Sequence, residues 1–129
     1  MKKVIFACIH NAGRSQMAAA FFNQLCDSKK MFAISAGTNP ALAVHPIVLE
    51  AMNEVGIDLS TAKPRKLDDK LCQDATLLLT MGCKENCPYI PGLEIRDWPF
   101  ADPKGQAIED VRKTREAIKE RVLKLISEL

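Results

Sequence analysis

Apolar and polar residues alternate along this chain in two distinct rhythms. Short unbroken apolar runs at 4–7, 31–34 and 77–79 have the length and β-branched or bulky character of buried strands. Between them lie stretches whose apolar residues recur every three or four positions. From Arg14 to Leu25, Met17, Ala18, Phe21, Phe22 and Leu25 share one face, which predicts a helix over about 14–27. Pro46 can open a second helix carrying Ile47, Leu49, Met52 and Val55, and Gly56 can close it. From residue 106 onward Ile108, Val111, Ile118, Val122, Leu125 and Leu129 predict a long amphipathic helix, with charges such as Glu116, Lys119 and Glu120 on its outer face. Strands are expected at about 3–8, 31–35, 76–80 and 93–98, and a short helix near 66–73. Thr38, Asn39 and Pro40 form a turn cluster, and 61–65 reads as loop.

Strands alternating with helices imply an α/β fold: a four-stranded parallel sheet, flanked by helices, with right-handed crossovers. At 129 residues the chain suits a single domain spanning 1–129. No internal repeat or long linker divides it.

The strand-to-helix junction carries the chemistry. It reads Cys8-Ile9-His10-Asn11-Ala12-Gly13-Arg14-Ser15. A strand feeding a loop that opens a helix gathers free N–H groups and the positive end of the helix dipole, an arrangement that receives anions. Cys8 in that position is expected to be a thiolate nucleophile. Gly13 permits the backbone to turn where a Cβ would clash. Arg14 offers a planar fork to two oxygens of a tetrahedral anion. Ser15 can hydrogen-bond the sulfur, and Asn11 can brace the loop through local bonds to the backbone. His10 could assist the anion when protonated or simply face solvent, and His45 reads as a loop residue. A structural cysteine beside a surface arginine is the bland alternative, which the strand, helix and serine together make improbable.

In a parallel sheet all strands end on one edge, where such folds bind ligands. The strand at 76–80 runs into Met81-Gly82-Cys83, so Cys83 is expected near Cys8. Cys83 and Cys87 stand four positions apart, which on a helical turn separates their Cβ atoms by roughly 5–6 Å. A disulfide wants about 3.5–4.5 Å, so a modest rearrangement closes one. The pair suits a thiol relay to Cys8. Zinc binding, with Cys26, Cys72, His10 and His45 as the remaining ligands, lacks paired spacing, and two buried packing cysteines are the other reading. Asp102, before Pro103, could overhang the same edge and protonate a departing oxygen. Trp98 and Phe100 read as packing, as do Cys26 and Cys72, although Cys72 could substitute as a resolving thiol.

Composition narrows the class. Eighteen basic and 16 acidic residues leave a net charge of +2, which argues against a nucleic-acid footprint. No apolar stretch approaches a membrane span, and the run at 4–9 is too short and too soon interrupted for a signal peptide. Five cysteines, an odd number, point to a reducing compartment, the cytoplasm, and to working thiols.

Taken together, the CIHNAGRSQMA stretch, Ser35-Ala36-Gly37, the EVGIDLS stretch at 54–60, the segment from Thr80 to Pro88 and the DWPFADP stretch resemble the arsenate reductases built on the low-molecular-weight protein-tyrosine phosphatase fold. The resemblance spans essentially the whole chain and is strongest to the thioredoxin-coupled branch. It implies that arsenate, with phosphate as a competing anion, binds the loop from Cys8 through Ile9, His10, Asn11, Ala12 and Gly13 to Arg14. It further implies that Cys8 attacks arsenic while Asp102 protonates the departing oxygen. Cys83 then attacks the Cys8 sulfur, arsenite leaves, and Cys87 resolves the Cys8–Cys83 disulfide into Cys83–Cys87, which thioredoxin reduces. No metal or organic cofactor is implied. The alternative is a low-molecular-weight protein-tyrosine phosphatase using Cys8, Arg14 and Asp102. Such an enzyme needs neither Cys83 nor Cys87, and Lys104-Gly105 stands where aromatic residues usually follow its acid.

Overall fold

The computed structural model describes residues 1–82 and 90–129. The order of elements is β1 (Lys2–Cys8), α1 (Arg14–Leu25), β2 (Met31–Gly37), α2 (Pro46–Asn53), α3 (Asp69–Cys72), β3 (Leu77–Thr80), β4 (Glu94–Asp97) and α4 (Ile108–Glu128). The strands form one sheet in the order β2-β1-β3-β4, and every pairing is parallel. The expected α/β architecture and four parallel strands are therefore present. The expected helix over 66–73 is shorter than its pattern. Residues 66 and 67 instead extend along β2, where Lys66 bridges Gly37 and the Leu67 N–H donates to the Gly37 carbonyl at 2.8 Å. Asp68 then caps α3, accepting from the Leu71 N–H at 2.7 Å.

Alternation along β1 divides the core in two. Val4, Phe6 and Cys8 face α1, α2 and α4, packing with Met17, Phe21, Phe22, Val48, Met52, Ile118 and Val122. Ile5 and Ala7 face the other way, with Leu67, Cys72 and Leu78. Trp98 is buried against Phe6, ring centroids 5.7 Å apart, and so serves packing as expected. Helix α1 is buried over most of its circumference: Arg14, Ser15, Gln16 and Ala19 are inside along with its apolar stripe. Polar residues buried in a first helical turn need partners; Ser15 and Gln16 find theirs at the end of β1 and in the loop after it, and Arg14 finds its own on the chain beyond β4.

Register fixes the working edge. Ala7 is level with Thr80 and Cys8 with Gly37. The Met81 N–H donates to the Ala7 carbonyl at 2.7 Å, and the Trp98 N–H to the Thr80 carbonyl at 2.7 Å. Cys8, Gly37, Gly82 and the chain leaving β4 toward Asp102 thus gather at one end of the sheet.

Candidate active site

Cys8 ends β1 and is buried. The loop that follows is polarised. Every carbonyl from Cys8 to Gly13 accepts a hydrogen bond: from the N–H of Thr38, Asn39 and Ala41 onto Cys8, Ile9 and His10, from Gln16 Nε2 onto Asn11, and from the N–H of His45 and Met17 onto Ala12 and Gly13. The N–H groups of His10, Asn11, Ala12 and Gly13 have no acceptor among the described residues. Carbonyls tied back and N–H groups left unbonded make an anion-receiving concavity. Gly13, the N-cap of α1, brings no side chain to the helix start, and the first turn holds no acidic residue.

Asn11 is the one non-glycine residue with positive φ among the described residues, at 51°. Its side chain explains how that conformation is held. Oδ1 accepts from the Arg65 N–H at 3.0 Å, which fixes the amide orientation, since an N–H can only donate. Nδ2 then donates to Ser15 Oγ at 2.8 Å. Ser15 Oγ lies 2.9 Å from Cys8 Sγ. With Nδ2 donating into the hydroxyl, the single Ser15 proton is left for the sulfur. Asn11 thus braces the loop mostly through side chains and a residue far along the sequence, rather than through the local backbone bonds its type suggests.

Arg14 is buried at 6 % exposure. Nη1 donates to the Phe100 carbonyl at 3.0 Å, and Nη2 lies 3.9 Å from Asp102 Oδ2. Nε is buried and has no hydrogen-bond partner among the described residues. A guanidinium N–H stripped of water and left unpaired is costly, and a bound oxyanion removes that cost. Asp102, 42 % exposed in its side chain, is turned toward solvent on one side and accepts from the Lys104 N–H at 3.0 Å.

The walls are close. A Cβ on Gly13 would stand 2.6 Å from Pro103 Cγ, so the Asp102-Pro103 turn sits directly on the loop. A Cβ on Gly37 would stand 2.6 Å from the Ile9 carbonyl oxygen and 2.9 Å from the Asn11 nitrogen. His45 flanks Gly13 as well, with Cδ2 3.7 Å from that same Cβ position. Burial pushes the His45 imidazole below its usual range; Asp102 opposes that, and Lys104, His10 and Arg14 reinforce it. His10 Nδ1 is 3.1 Å from the Asn39 carbonyl and must donate to it.

Of the residues expected at the site, Cys8, Ile9, His10, Asn11, Ala12, Gly13, Arg14, Ser15 and Asp102 come together at this edge. Cys83 and Cys87 lie outside the described residues; Gly82, the neighbour of Cys83, is against Arg14. Cys26 is half-buried against the main core, and Cys72 is buried on the opposite face of the sheet. Gln16, Gly37, Arg65 and the Phe100 carbonyl support the site without having been expected. Gly37, Arg65 and Phe100 act across fold-made contacts, whereas Gln16 reaches Asn11 five residues away; Gly37 and Gln16 fall in the Ser-Ala-Gly and CIHNAGRSQMA stretches, while Arg65 and Phe100 left no sequence signal. Among the described residues no three His, Cys, Asp or Glu side chains gather as a metal site.

A polarised loop, a buried sulfur hydrogen-bonded to a hydroxyl and a buried guanidinium N–H without an acceptor among the described residues can bind a tetrahedral oxyanion and attack its central atom. Known proteins agree with that chemistry. Residues 3–129 match the family described as low molecular weight phosphotyrosine protein phosphatase. A Halobacterium salinarum protein provisionally named an arsenate reductase is 39% identical, covering 95% of this chain and 89% of its own length. A Synechocystis protein named glutaredoxin arsenate reductase is 36% identical, covering 100% and 99%. Among solved structures, the Corynebacterium glutamicum thioredoxin-dependent arsenate reductase superposes with a TM-score of 0.85 at 34% identity; the match covers 99% of this chain but 61% of that one. A low molecular weight protein tyrosine phosphatase from T. tengcongensis superposes at 0.87 with 26% identity, covering both chains completely. The chain belongs to the low molecular weight phosphotyrosine protein phosphatase family, alongside relatives named as arsenate reductases.

Proposed function

We propose that this protein reduces arsenate to arsenite, and that Cys8, Arg14, Ser15, Asp102, Cys83 and Cys87 perform the reaction. The observation that carries the reading is the set of donors around Cys8 that have no acceptor among the described residues: the N–H groups of residues 10–13 and the buried Nε of Arg14. They suit the oxygens of arsenate, with phosphate as a competitor of the same shape. Cys8 Sγ attacks arsenic, Ser15 stabilises the sulfur anion by donating its proton in a hydrogen bond, and Asp102 protonates the departing oxygen, which leaves as water. Cys83 attacks the Cys8 sulfur. The electron pair of the sulfur–arsenic bond goes to arsenic, arsenite departs, and a Cys8–Cys83 disulfide remains. Cys87 then attacks Cys83 and frees Cys8.

The Cys83–Cys87 disulfide must be reduced from outside. Thioredoxin is the proposed donor, supported by the thioredoxin-dependent relative from Corynebacterium. The Synechocystis relative, named for glutaredoxin, marks the competing donor. Among the described residues no helix is long and apolar enough to cross a membrane. Reduced thiols place the proposed work in the cytoplasm. Arsenate-dependent NADPH oxidation in the presence of thioredoxin and thioredoxin reductase tests the proposal. Turnover supports it, and its absence with either donor system rejects it.

A second reading is phosphotyrosine hydrolysis by Cys8, Arg14 and Asp102, favoured by the likeness to the T. tengcongensis phosphatase. It needs no thiol donor, so aryl phosphate hydrolysis independent of Cys83 and Cys87 is its signature. The same loop supports a weak activity of this kind in a reductase.

A further inference from the structure

The Arg14 guanidinium is held in an unusual way. On one side the Phe100 carbonyl accepts from Nη1 at 3.0 Å. On another lies Gly82, with φ at +94°. A Cβ at Gly82 would collide with Nη1, and would stand only 3.2 Å from Cζ and 3.7 Å from Nη2. Three guanidinium atoms therefore crowd the one position that a side chain at residue 82 would have to occupy. The nitrogen remote from this seat, Nε, is the buried one without a partner among the described residues.

We propose that Gly82 is a positioning residue for the oxyanion. Its bare Cα sets where the Arg14 guanidinium lies, so that Nη1 is taken by Phe100 while Nε and Nη2 remain for the ligand. The proposal rests on the reading of Arg14 as an oxyanion ligand and adds a second reason for glycine at residue 82. Positive φ alone favours glycine for the backbone's sake; the collision with Nη1 means that any side chain there must displace the arginine's fork. Two-point recognition by a guanidinium tolerates little displacement. A Cβ that drives the fork aside must weaken oxyanion binding even where the backbone keeps its course.

The test uses the full chain with inorganic arsenate and phosphate as probes. Each protects Cys8 from alkylation by iodoacetamide, read by mass spectrometry of the Cys8 peptide. With phosphate, which the thiols do not reduce, this readout requires no turnover and no participation of Cys83; the arsenate arm is run in Cys83→Ser, where Cys83 cannot draw Cys8 into a disulfide. Gly82→Ala is expected to need about tenfold more anion for half-protection. Gly82→Asn adds the same Cβ in the residue type that best tolerates positive φ, and is expected to show the same loss with a smaller fall in Tm than Gly82→Ala. In Arg14→Lys, which lacks Nη1, adding Gly82→Ala should cost little beyond the Arg14→Lys loss, because coupled sites are not additive. Wild-type protection by both Gly82 variants would overturn the proposal. So would an undiminished Gly82→Ala penalty in the Arg14→Lys background. Failure of either anion to protect wild-type Cys8 would reject the oxyanion site itself, and this role of Gly82 with it.

Discussion

The Oγ of Ser15 lies 2.9 Å from the Sγ of Cys8 and is itself the acceptor of the Asn11 amide, so its own proton is free to turn to the sulfur once Cys8 is ionised. A hydrogen bond to a charged group contributes about 1.5–3 kcal/mol. Ser15→Ala should slow alkylation of Cys8 at neutral pH and reduce arsenate turnover by roughly ten- to a hundredfold. Unchanged alkylation kinetics would show that the serine does not stabilise the sulfur anion.

Among the described residues the Asp102 carboxylate meets a side chain of the site at Arg14 Nη2, 3.9 Å away, and it is partly open to solvent. That suits a group that delivers a proton without blocking the anion. Asp102→Asn is expected to lower kcat by about 10²–10⁴-fold. Protection of Cys8 by arsenate should persist, because the loop N–H groups and Arg14 Nε are untouched. Loss of protection together with activity would assign Asp102 to binding.

Much of this was legible in sequence, and for physical reasons. Strand β1 and helix α1 fall where apolar run and helical periodicity set them, because both signals are local. The Cys8 to Ser15 loop was legible because its residue types and their order follow one chemistry. Helix α3 is shorter than its pattern because residues 66 and 67 are drawn into pairing with Gly37, a contact made by the fold. The Arg65 N–H on Asn11, the Phe100 carbonyl on Arg14 and the seat at Gly82 depend on strand register that spacing does not encode. The buried polar face of α1 was missed because Gln16 satisfies itself on Asn11, which no amphipathic pattern announces.

Cys72 was a possible substitute resolver, and its placement argues against that. The Lys3 Nζ donates to the Leu71 carbonyl at 2.6 Å, and the Thr76 N–H to the Lys3 carbonyl at 2.8 Å. Lys3 and Cys8 are five residues apart on β1, about 16 Å at strand rise. Burial also pushes the Cys72 thiol up, away from the reactive thiolate. Cys72→Ser should leave thioredoxin-coupled arsenate turnover unchanged. A marked loss of turnover without loss of Tm would restore it to the relay.

Acid sensitivity should have one identifiable source between α2 and α4. Hydrogen bonds from Arg112, then Arg115, hold the Glu54 carboxyl down to about 2 from its ordinary value of 4.5. Arg112 Nη2 and Arg115 Nη1 approach it at 2.6 and 2.8 Å. A carboxyl with a depressed folded pKa stabilises fully above about pH 4.5 and loses that contribution as pH falls toward 2. Thermal unfolding of Glu54→Gln should therefore show a lower Tm at pH 7 and a smaller further drop across pH 4.5 to 2. Parallel Tm profiles would remove Glu54 from the account.

The division of labour between an oxyanion loop and a separate thiol pair is tested most directly by Cys83→Ser and Cys87→Ser, each assayed for two reactions. Thioredoxin-coupled arsenate turnover should vanish in both variants, while hydrolysis of p-nitrophenyl phosphate, which requires only Cys8, Arg14 and Asp102, should continue at the wild-type rate. Sustained arsenate turnover in either variant would contradict the relay.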